Sequence, residues 1–217
     1  ANHAISMIMA LHRGLFQANQ STQEGKWIPA PKTAEIISLQ DSSLGVIGCG
    51  RIGRNFIEKM RPFVKEVIGY DPGVTSPIEG VRMVSNLDEL LTSCKVISMH
   101  APYMPSTHHM ISEKELAKMQ KGTILVNVSR GGLIDEDALV KALESGHLDG
   151  AGLDVFEKEP LAEDSILRRT KNLIVSPHIA WYSQSAGPRL FQWGFEDAYS
   201  LITTGKINNG NFAVGPF

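Results

Sequence analysis

Short β-rich runs alternate with helix-like segments along most of this chain, and this alternation limits its possible folds more than any other feature. The six β-rich runs lie at residues 44–48, 66–70, 95–99, 123–128, 151–155 and 172–176. Amphipathic segments stand between them at residues 51–60, 86–94, 112–120 and 135–146. Strands that are apolar nearly throughout are typical of a sheet covered on both faces. The order therefore predicts an α/β fold, a doubly wound parallel sheet.

Helix start and stop signals support this division. Asn86, Ser112 and Asp135 precede three of the amphipathic segments, as helix-capping residues do. Gly122 and Gly146 stand where helix-ending glycines are expected. We therefore predict helices beginning after each capping residue.

Both ends of the chain are also predicted to be helical. One apolar face at helical spacing near the start comprises Ile5, Ile8, Met9, Leu11, Leu15 and Phe16. A polar connector follows at residues 21–35, and residues 183–202 indicate one long terminal helix before a Gly/Asn-rich tail. Because the chain opens at Ala1 inside a helical pattern without an initiator Met, we expect a fragment or trimmed product at least as readily as a natural start.

Composition and charge argue against several function classes. The 217 residues are 42% apolar and 20% charged, which is ordinary globular composition. The net charge of -2, without a basic stripe, predicts no nucleic-acid or membrane-surface partner. Cys49 and Cys94 form no metal or redox spacing, so we expect no metal site and a cytoplasmic location. The longest apolar stretch, residues 4–11, is too short to span a bilayer and lacks the basic n-region of a signal peptide.

A glycine-rich turn, GCGRIG at residues 48–53, fits G-x-G-x-x-G between a predicted strand and a predicted helix. In such a turn Gly48 allows the tight bend, Gly50 lets a pyrophosphate approach the backbone, and Gly53 lets helix and strand pack closely. Asp71 ends the next β-rich run, where a carboxylate would accept hydrogen bonds from ribose hydroxyls and repel a 2′-phosphate. The turn predicts a Rossmann-type domain that binds NAD rather than NADP. The alternative is a glycine turn closing an unrelated βαβ unit.

Polar residues follow four consecutive predicted strands, at the carboxyl ends where ligands collect in open parallel sheets. They are His100, Arg130, the pair Glu157 and Glu159, and His178. Arg130 is suited to bind a carboxylate through two parallel hydrogen bonds, although an exposed surface arginine is the commoner case. Glu159 could hold His178 and favour its protonated form, so that His178 donates to a carbonyl oxygen. Glu157 competes for this role, and both acids could instead form a solvated loop.

Three further polar residues, Asp154, His108 and His109, lie in or next to the same loops. Asp154, at a strand end, is predicted to fix the nicotinamide side or a backbone turn, whereas His108 and His109 are interpreted as surface residues. The strand-end residues together describe a hydride-transfer site. NADH would supply the hydride, Arg130 would orient a 2-oxo acid, and the histidine–glutamate pair would deliver the proton.

These residues resemble the D-isomer-specific 2-hydroxyacid dehydrogenase family. The matching runs, in order, are GVIGCGRIGR, YDP, HAPYMPSTHHMI, ILVNVSRGGLIDEDAL, GAGLDVFEKEP and SPHIAW. The resemblance implies an NAD-dependent oxidoreductase that transfers a hydride between NADH and a small 2-oxo acid or D-2-hydroxy acid. It implies Arg130 as substrate carboxylate binder, Glu159 as the histidine's partner and His178 as acid/base. The implied NAD contacts are Gly48, Gly50, Arg51, Ile52, Gly53, Asp71, His100, Ala101, Pro102, Thr107, Val128, Ser129, Arg130, Asp154, His178, Ala180 and Trp181.

The first departure from the family pattern concerns domain organisation. Family members carry another lobe of about 100 residues, a domain-sized piece, before the first helix, and this chain lacks it. The chain is therefore expected to be the cofactor domain with flanking interdomain helices. Residues 1–40 would form an interdomain and dimerisation helix with a connector, 41–182 the NAD-binding domain, and 183–217 a C-terminal helix and tail returning toward the absent lobe. The family's usual homodimer, formed largely through the cofactor domain, is the implied assembly.

The second departure is the ending His-Ile-Ala-Trp-Tyr-Ser at residues 178–183, where many members continue His-Ile-Gly-Gly. It resembles the branch of C-terminal-binding-protein corepressors and their bacterial dehydrogenase relatives. Two functions follow. An NAD-dependent D-2-hydroxyacid dehydrogenase is favoured. An NAD(H)-responsive, corepressor-like binding protein would need a partner-binding lobe, for which these residues offer no evidence. A chain that only binds dinucleotide is a third possibility.

Overall fold

A computed structural model describes residues 1–27, 38–184 and 186–207, without the side chain of residue 190. The backbone divides into two compact units, Ala1–Ala180 and Trp181–Phe217. Residues 28–35 of the predicted connector and residues 208–217 of the predicted Gly/Asn-rich tail lie outside the described residues. The domain limits at residues 40 and 182 stay predictions.

Seven parallel strands form one sheet in the first unit. They are β1 (Ser43–Ile47), β2 (Glu66–Tyr70), β3 (Arg82–Val84), β4 (Val96–Met99), β5 (Thr123–Asn127), β6 (Leu148–Leu153) and β7 (Leu173–Val175). Their spatial order is β3-β2-β1-β4-β5-β6-β7, with every neighbouring pair parallel. This order reverses direction between β1 and β4, which opens a crevice at the strands' carboxyl ends. The predicted α/β doubly wound sheet is confirmed.

Two strands differ from the prediction. The edge strand β3 was not predicted, because it is only three residues long and its Arg82 is exposed. Strand β6 begins at Leu148, earlier than predicted, and ends before Asp154. Its first residues carry Asp149 and Gly150, which weaken the apolar signal. Asp154 therefore lies just beyond the strand rather than in it.

Four helices connect these strands. They are α3 (Arg51–Met60), α4 (Leu87–Ser93), α5 (Glu113–Lys118) and α6 (Glu136–Glu144), and they follow the helices α1 (Asn2–His12) and α2 (Leu15–Gln23) that precede β1. The Asn86 side chain accepts a hydrogen bond from the Asp88 amide at the start of α4. Asp135 does the same for the Ala138 amide in α6, and Ser112 forms a capping box in α5. The three predicted helix starts are confirmed, since each cap satisfies amides that lack an intrahelical partner.

The start of the chain forms two helices, α1 (Asn2–His12) and α2 (Leu15–Gln23), where one apolar face was predicted. They separate at Gly14, whose φ of 56° lies in the left-handed region that glycine adopts without a Cβ clash. The buried residues of α1 are Ala4, Met7 and Ile8, whereas α2 buries none. The apolar spacing therefore does not belong to one continuous helix, and Leu15 and Phe16 lie exposed on the second helix.

Apolar cores cover both faces of the sheet. Helices α1 and α3 contribute to one core, which includes Ile8 and Phe56. Helices α4, α5 and α6 contribute to the other, which includes Leu91, Leu116 and Leu139. With both faces covered, the open region of the sheet is its edge at the carboxyl ends of the strands.

The second unit contains one 19-residue helix, α7 (Ala186–Thr204), which agrees with the predicted terminal helix. Several of its large side chains are exposed, namely Phe191, Phe195, Tyr199 and Ile202. Within the described ranges, every helix is too short or too polar to cross a bilayer.

Candidate active site

The glycine-rich turn between β1 and α3 is held together by backbone contacts that leave no room for side chains at two positions. Gly48 has a φ of 92°, and a Cβ there would stand 2.4 Å from the Ala101 amide nitrogen. A Cβ on Gly53 would stand 2.1 Å from the Gly48 carbonyl oxygen. These glycines are therefore required by the packing of the turn against β4 and of α3 against the turn.

Gly50 differs from both, because a Cβ placed on it would meet no atom within 4 Å. It precedes α3 without a side-chain cap, and the first turn of α3 carries no acidic residue. The first amides of a helix lack intrahelical acceptors and favour an anion. The residues here thus fit a pyrophosphate, because the turn has open space at Gly50 and the first turn of α3 carries no acidic residue. Arg51 and Ile52 are exposed beside it.

Asp71 lies directly after β2 and is anchored to the glycine-rich turn. Its Oδ2 accepts a hydrogen bond from the Cys49 amide at 2.8 Å, and its Oδ1 accepts one from the Gly73 amide at 2.8 Å. Each carboxylate oxygen can accept a further hydrogen bond. The structure thus places a fixed negative charge next to the turn, which would accept hydrogen bonds from the ribose hydroxyls of NAD and repel the ribose 2′-phosphate of NADP.

The segment after β4 packs beneath the same turn. The His100 ring stacks at a tilt on Phe56, with ring centroids 4.7 Å apart, and its Nε2 lies 2.9 Å from Ser98 Oγ. Burial lowers the pKa of His100 to about 3, so the ring is neutral near pH 7. Thr107 Oγ1 donates to the Pro102 carbonyl at 2.9 Å, and this bond closes the loop that follows buried Ala101.

The loop after β5 carries Arg130 and is held by hydrogen bonds to the side chain of Asn127. Buried Asn127 donates to the Arg130 carbonyl at 2.8 Å and accepts the Ser129 amide at 3.0 Å. Half-buried Val128 packs on the α1–α3 core. The guanidinium of Arg130 is exposed, with Nη1 donating to the Ser129 carbonyl. Asn127 was not singled out in the sequence, where it reads as the last residue but one of an apolar run.

The loops after β5 and β6 touch backbone to backbone. A Cβ on Gly131 would stand 1.8 Å from the Phe156 carbonyl carbon, so only glycine fits. This contact brings Arg130 near the loop that carries Glu159, and the positive charge of Arg130 helps to lower the Glu159 pKa.

Glu159 and His178 form a hydrogen-bonded pair at the ends of β6 and β7. His178 Nδ1 lies 2.7 Å from Glu159 Oε2, while Oε1 accepts the Phe156 amide at 3.0 Å. Burial raises the pKa of Glu159, but these hydrogen bonds outweigh it and leave the pKa below its usual value. Ionised Glu159 therefore accepts a hydrogen bond from the protonated Nδ1, and Nε2 is left as the nitrogen that exchanges a proton with a ligand.

Glu157 does not compete for His178, because it is engaged elsewhere. Its carboxylate pairs with Nε2 of His109, and its amide donates to Glu136 Oε1 at 2.8 Å. His108 stacks on His109 with ring centroids 3.9 Å apart. Both histidines are predicted to be surface residues, and no signal in the sequence predicts that His109 pairs with Glu157.

Asp154 is fully buried and holds the turn that contains His178. Its Oδ1 accepts the Ile179 amide at 2.9 Å, and its Oδ2 accepts the Ala180 amide at 2.7 Å. The Ser176 hydroxyl donates to the same carboxylate. Of the two interpretations of Asp154, the structure shows the contacts of the backbone turn.

A cavity of about 650 Å³ opens beside the Glu159–His178 pair. Its wall is largely apolar, with Phe156, Leu161 and Val175 among the lining residues, and His178 faces it. This volume is within the range of small-molecule sites. Trp181 begins the second unit and is half-exposed, and its contact with a cofactor stays a prediction.

Comparison with known proteins places these features in one family pattern. Residues 5–180 match the sequence model described as "D-isomer specific 2-hydroxyacid dehydrogenase, NAD binding domain". The chain is 39% identical over 181 residues to the D-3-phosphoglycerate dehydrogenase of Methanocaldococcus jannaschii, which covers 82% of this chain and 34% of that enzyme. It is 36% identical to the glyoxylate reductase of Korarchaeum cryptofilum, over 88% of this chain and 58% of the reductase.

A solved structure shows the same likeness in three dimensions. The D-lactate dehydrogenase of Aquifex aeolicus, complexed with NAD and lactic acid, superposes with a TM-score of 0.83 at 33% identity. The match covers all of this chain and 70% of that one. The chain thus spans only about one third to three fifths of the length of these curated relatives.

Proposed function

Because the chain belongs to the D-isomer specific 2-hydroxyacid dehydrogenase family, as an NAD-binding domain of that family, we propose that the full-length protein transfers a hydride between NADH and a small 2-oxo acid. The reverse reaction oxidises a D-2-hydroxy acid. The proposal concerns the full-length protein, since this chain covers part of its relatives' length.

The observation that carries the proposal is the Glu159–His178 pair, joined at 2.7 Å, at the same sheet edge as Arg130 and the glycine-rich turn. NAD, when bound, supplies or accepts the hydride. Asp71 and the amides at the start of α3 would hold the dinucleotide. The exposed guanidinium of Arg130 would bind the substrate carboxylate through two hydrogen bonds.

His178 would act as general acid in reduction and general base in oxidation. In reduction, His178 Nε2 donates its proton to the oxygen that becomes the hydroxyl, and Nδ1 stays bound to Glu159. The ionised state of Glu159 stabilises the imidazolium before transfer and fixes the ring's orientation. The other proposed cofactor contacts are Gly48, Gly50, Arg51, Ile52, Gly53, His100, Ala101, Pro102, Thr107, Val128, Ser129, Arg130, Asp154, His178, Ala180 and Trp181.

We also propose a homodimer formed through the cofactor domain and a cytoplasmic location. Helix α2 buries no residue, and exposed Leu15 and Phe16 offer apolar surface to a second copy. Both cysteines are buried free thiols, as is common in a reducing compartment. The His-Ile-Ala-Trp-Tyr-Ser ending supports membership of the corepressor-containing branch. The proposed segments of the chain are residues 1–40, 41–182 and 183–217. A corepressor-like role is not favoured, because the relatives above are named as dehydrogenases or a reductase.

The test of the proposed function compares the 217-residue chain with the full-length protein. We expect the chain to bind NADH in a fluorescence titration but to reduce 2-oxo acids poorly, because one wall of the substrate cleft would come from the other lobe. The full-length protein should oxidise NADH with at least one acid from a panel of glyoxylate, hydroxypyruvate, pyruvate and larger 2-oxo acids. No NADH oxidation with any of them would refute the proposal.

Replacing Asp71 with Ala should erode the preference for NADH over NADPH. Removing the carboxylate removes both an acceptor for the ribose hydroxyls and a repulsion against the 2′-phosphate. We expect the ratio of the two dissociation constants to move toward unity by about tenfold, or about 1.4 kcal/mol. The ratio cancels any general loosening of the turn, and Glu79→Ala, which removes an exposed acid eight residues away, serves as the control. An unchanged ratio in Asp71→Ala would count against Asp71 as the ribose-binding residue.

A further inference from the structure

His3 connects the first turn of α1 to the turn that contains His178. Its Nε2 lies 2.8 Å from Ser176 Oγ, across 173 positions of sequence, and 3.5 Å from Asp154 Oδ1. Ser176 Oγ in turn donates to Asp154 Oδ1. Neither His3 nor Ser176 belongs to the site predicted from the sequence.

The direction of these hydrogen bonds follows from counting protons. A serine hydroxyl has one proton, and that of Ser176 goes to the Asp154 carboxylate. Ser176 Oγ must therefore accept from His3, so Nε2 of His3 carries a proton. The line runs from His3 through Ser176 to Asp154, each group donating to the next.

Ser176 and Asp154 contact the chain on both sides of His178. Asp154 binds the Ile179 and Ala180 amides just after His178, and Ser176 stands two residues before it. His178 itself has a φ of 55°, and its amide donates to the Ser176 carbonyl at 3.0 Å. A non-glycine residue in the left-handed region costs free energy, and such a conformation persists only when its surroundings hold it.

We propose that His3 is a positioning residue for His178, acting through Ser176 and Asp154. The inference deepens the proposed function and rests on it. By donating to Ser176, His3 fixes the hydroxyl that bridges the strand end to Asp154, and Asp154 then holds the amides that set the His178 backbone. The Nε2 of His178 is thereby kept at the angle that proton transfer requires.

The role of His3 is separable from the stability of α1. The helix is anchored to the sheet by the buried side chains of Ala4, Met7 and Ile8. The His3 side chain, about a quarter exposed, contributes a hydrogen bond rather than apolar packing. Losing that bond should therefore leave the fold and the glycine-rich turn intact while loosening the His178 turn.

The test measures steady-state kinetics of the full-length protein with His3→Leu and His3→Gln. We expect His3→Leu to lower kcat by about 10- to 100-fold, because small misplacements of a reacting group have effects of this size. KM for NADH should stay within about threefold. His3→Gln keeps a donor near the position of Nε2 and should restore kcat to within about threefold of wild type. His147→Leu removes a part-buried histidine that bonds the Leu116 carbonyl, and serves as the control.

Ser176→Ala breaks the same chain of hydrogen bonds at its middle group. Because it removes a single oxygen, the inference stays testable if His3→Leu does not fold. Ser176→Ala should lower kcat as His3→Leu does, and the double variant should lose little more than either single one. The inference is overturned if His3→Leu has the same kcat as His147→Leu, or if His3→Leu and His3→Gln lose kcat equally. It is also overturned if the losses of His3→Leu and Ser176→Ala add in the double variant.

His178→Gln, measured in parallel, separates the acid/base role of His178 from the positioning role of His3. If it retains turnover, both the acid/base role and the positioning role are wrong. If it is inactive while His3→Leu and Ser176→Ala both turn over normally, only the positioning inference fails.

Discussion

Replacing His178 with Gln in the full-length protein is expected to lower kcat by about 10²- to 10⁴-fold, the range attributed to a positioned general acid–base. A glutamine amide can keep a hydrogen bond to Glu159 but cannot give up and regain a proton near neutral pH. NADH affinity should change little, because the glycine-rich turn and Asp71 lie at the other strand ends. The measurements are kcat with the preferred 2-oxo acid and an NADH fluorescence titration.

Two companion variants make this result specific. His147→Gln removes another half-buried histidine with one hydrogen bond, to the Leu116 carbonyl, and should leave kcat within about twofold. Glu159→Gln keeps a hydrogen-bond acceptor beside Nδ1 but removes the charge that stabilises the imidazolium, so its loss should be intermediate. Wild-type turnover in His178→Gln would contradict the acid/base assignment. Equal losses in His178→Gln and His147→Gln would show a general effect of lost stability.

The sheet could be predicted because helices cover both of its faces, so its central strands are largely buried and apolar nearly throughout. The six predicted strands are all present, and the caps at Asn86, Ser112 and Asp135 mark real helix starts. The failures have local causes. Strand β3 is too short to show a period, and the break at Gly14 depends on a backbone conformation that the periodic apolar spacing conceals.

Site residues could be predicted where the fold alone brings them together. Parallel strands deliver their carboxyl ends to one edge, so Glu159 and His178 follow from position in the chain. The hydrogen-bond partners of His3 and Glu157 could not be predicted from the sequence. That of His3 depends on how α1 lies across the sheet, and that of Glu157 depends on how two loops meet. The choice between Glu157 and Glu159 likewise required the loop geometry.

Replacing Gly50 with Ala is expected to weaken NADH binding by about 10- to 100-fold, or about 1.4–2.7 kcal/mol, while the protein stays folded. A Cβ at Gly50 meets no protein atom within 4 Å, and its φ of -74° suits any residue. The added methyl group would instead occupy the space in front of the α3 amides. The cost to stability should stay below about 1 kcal/mol, the usual effect of a less favourable helix cap.

Gly53→Ala should lower the stability of the protein clearly, which Gly50→Ala should not, and the contrast identifies what each glycine does. Its Cβ would stand 2.1 Å from the Gly48 carbonyl oxygen, so α3 must shift, at about 1–3 kcal/mol of stability. Gly194→Ala, inside α7 with no atom within 4 Å of the new Cβ, should leave NADH affinity unchanged. Thermal denaturation and NADH titration of the three variants provide both readouts. If Gly50→Ala binds NADH as wild type does, the dinucleotide phosphates do not lie at this turn, and the proposed cofactor site is wrong at its centre.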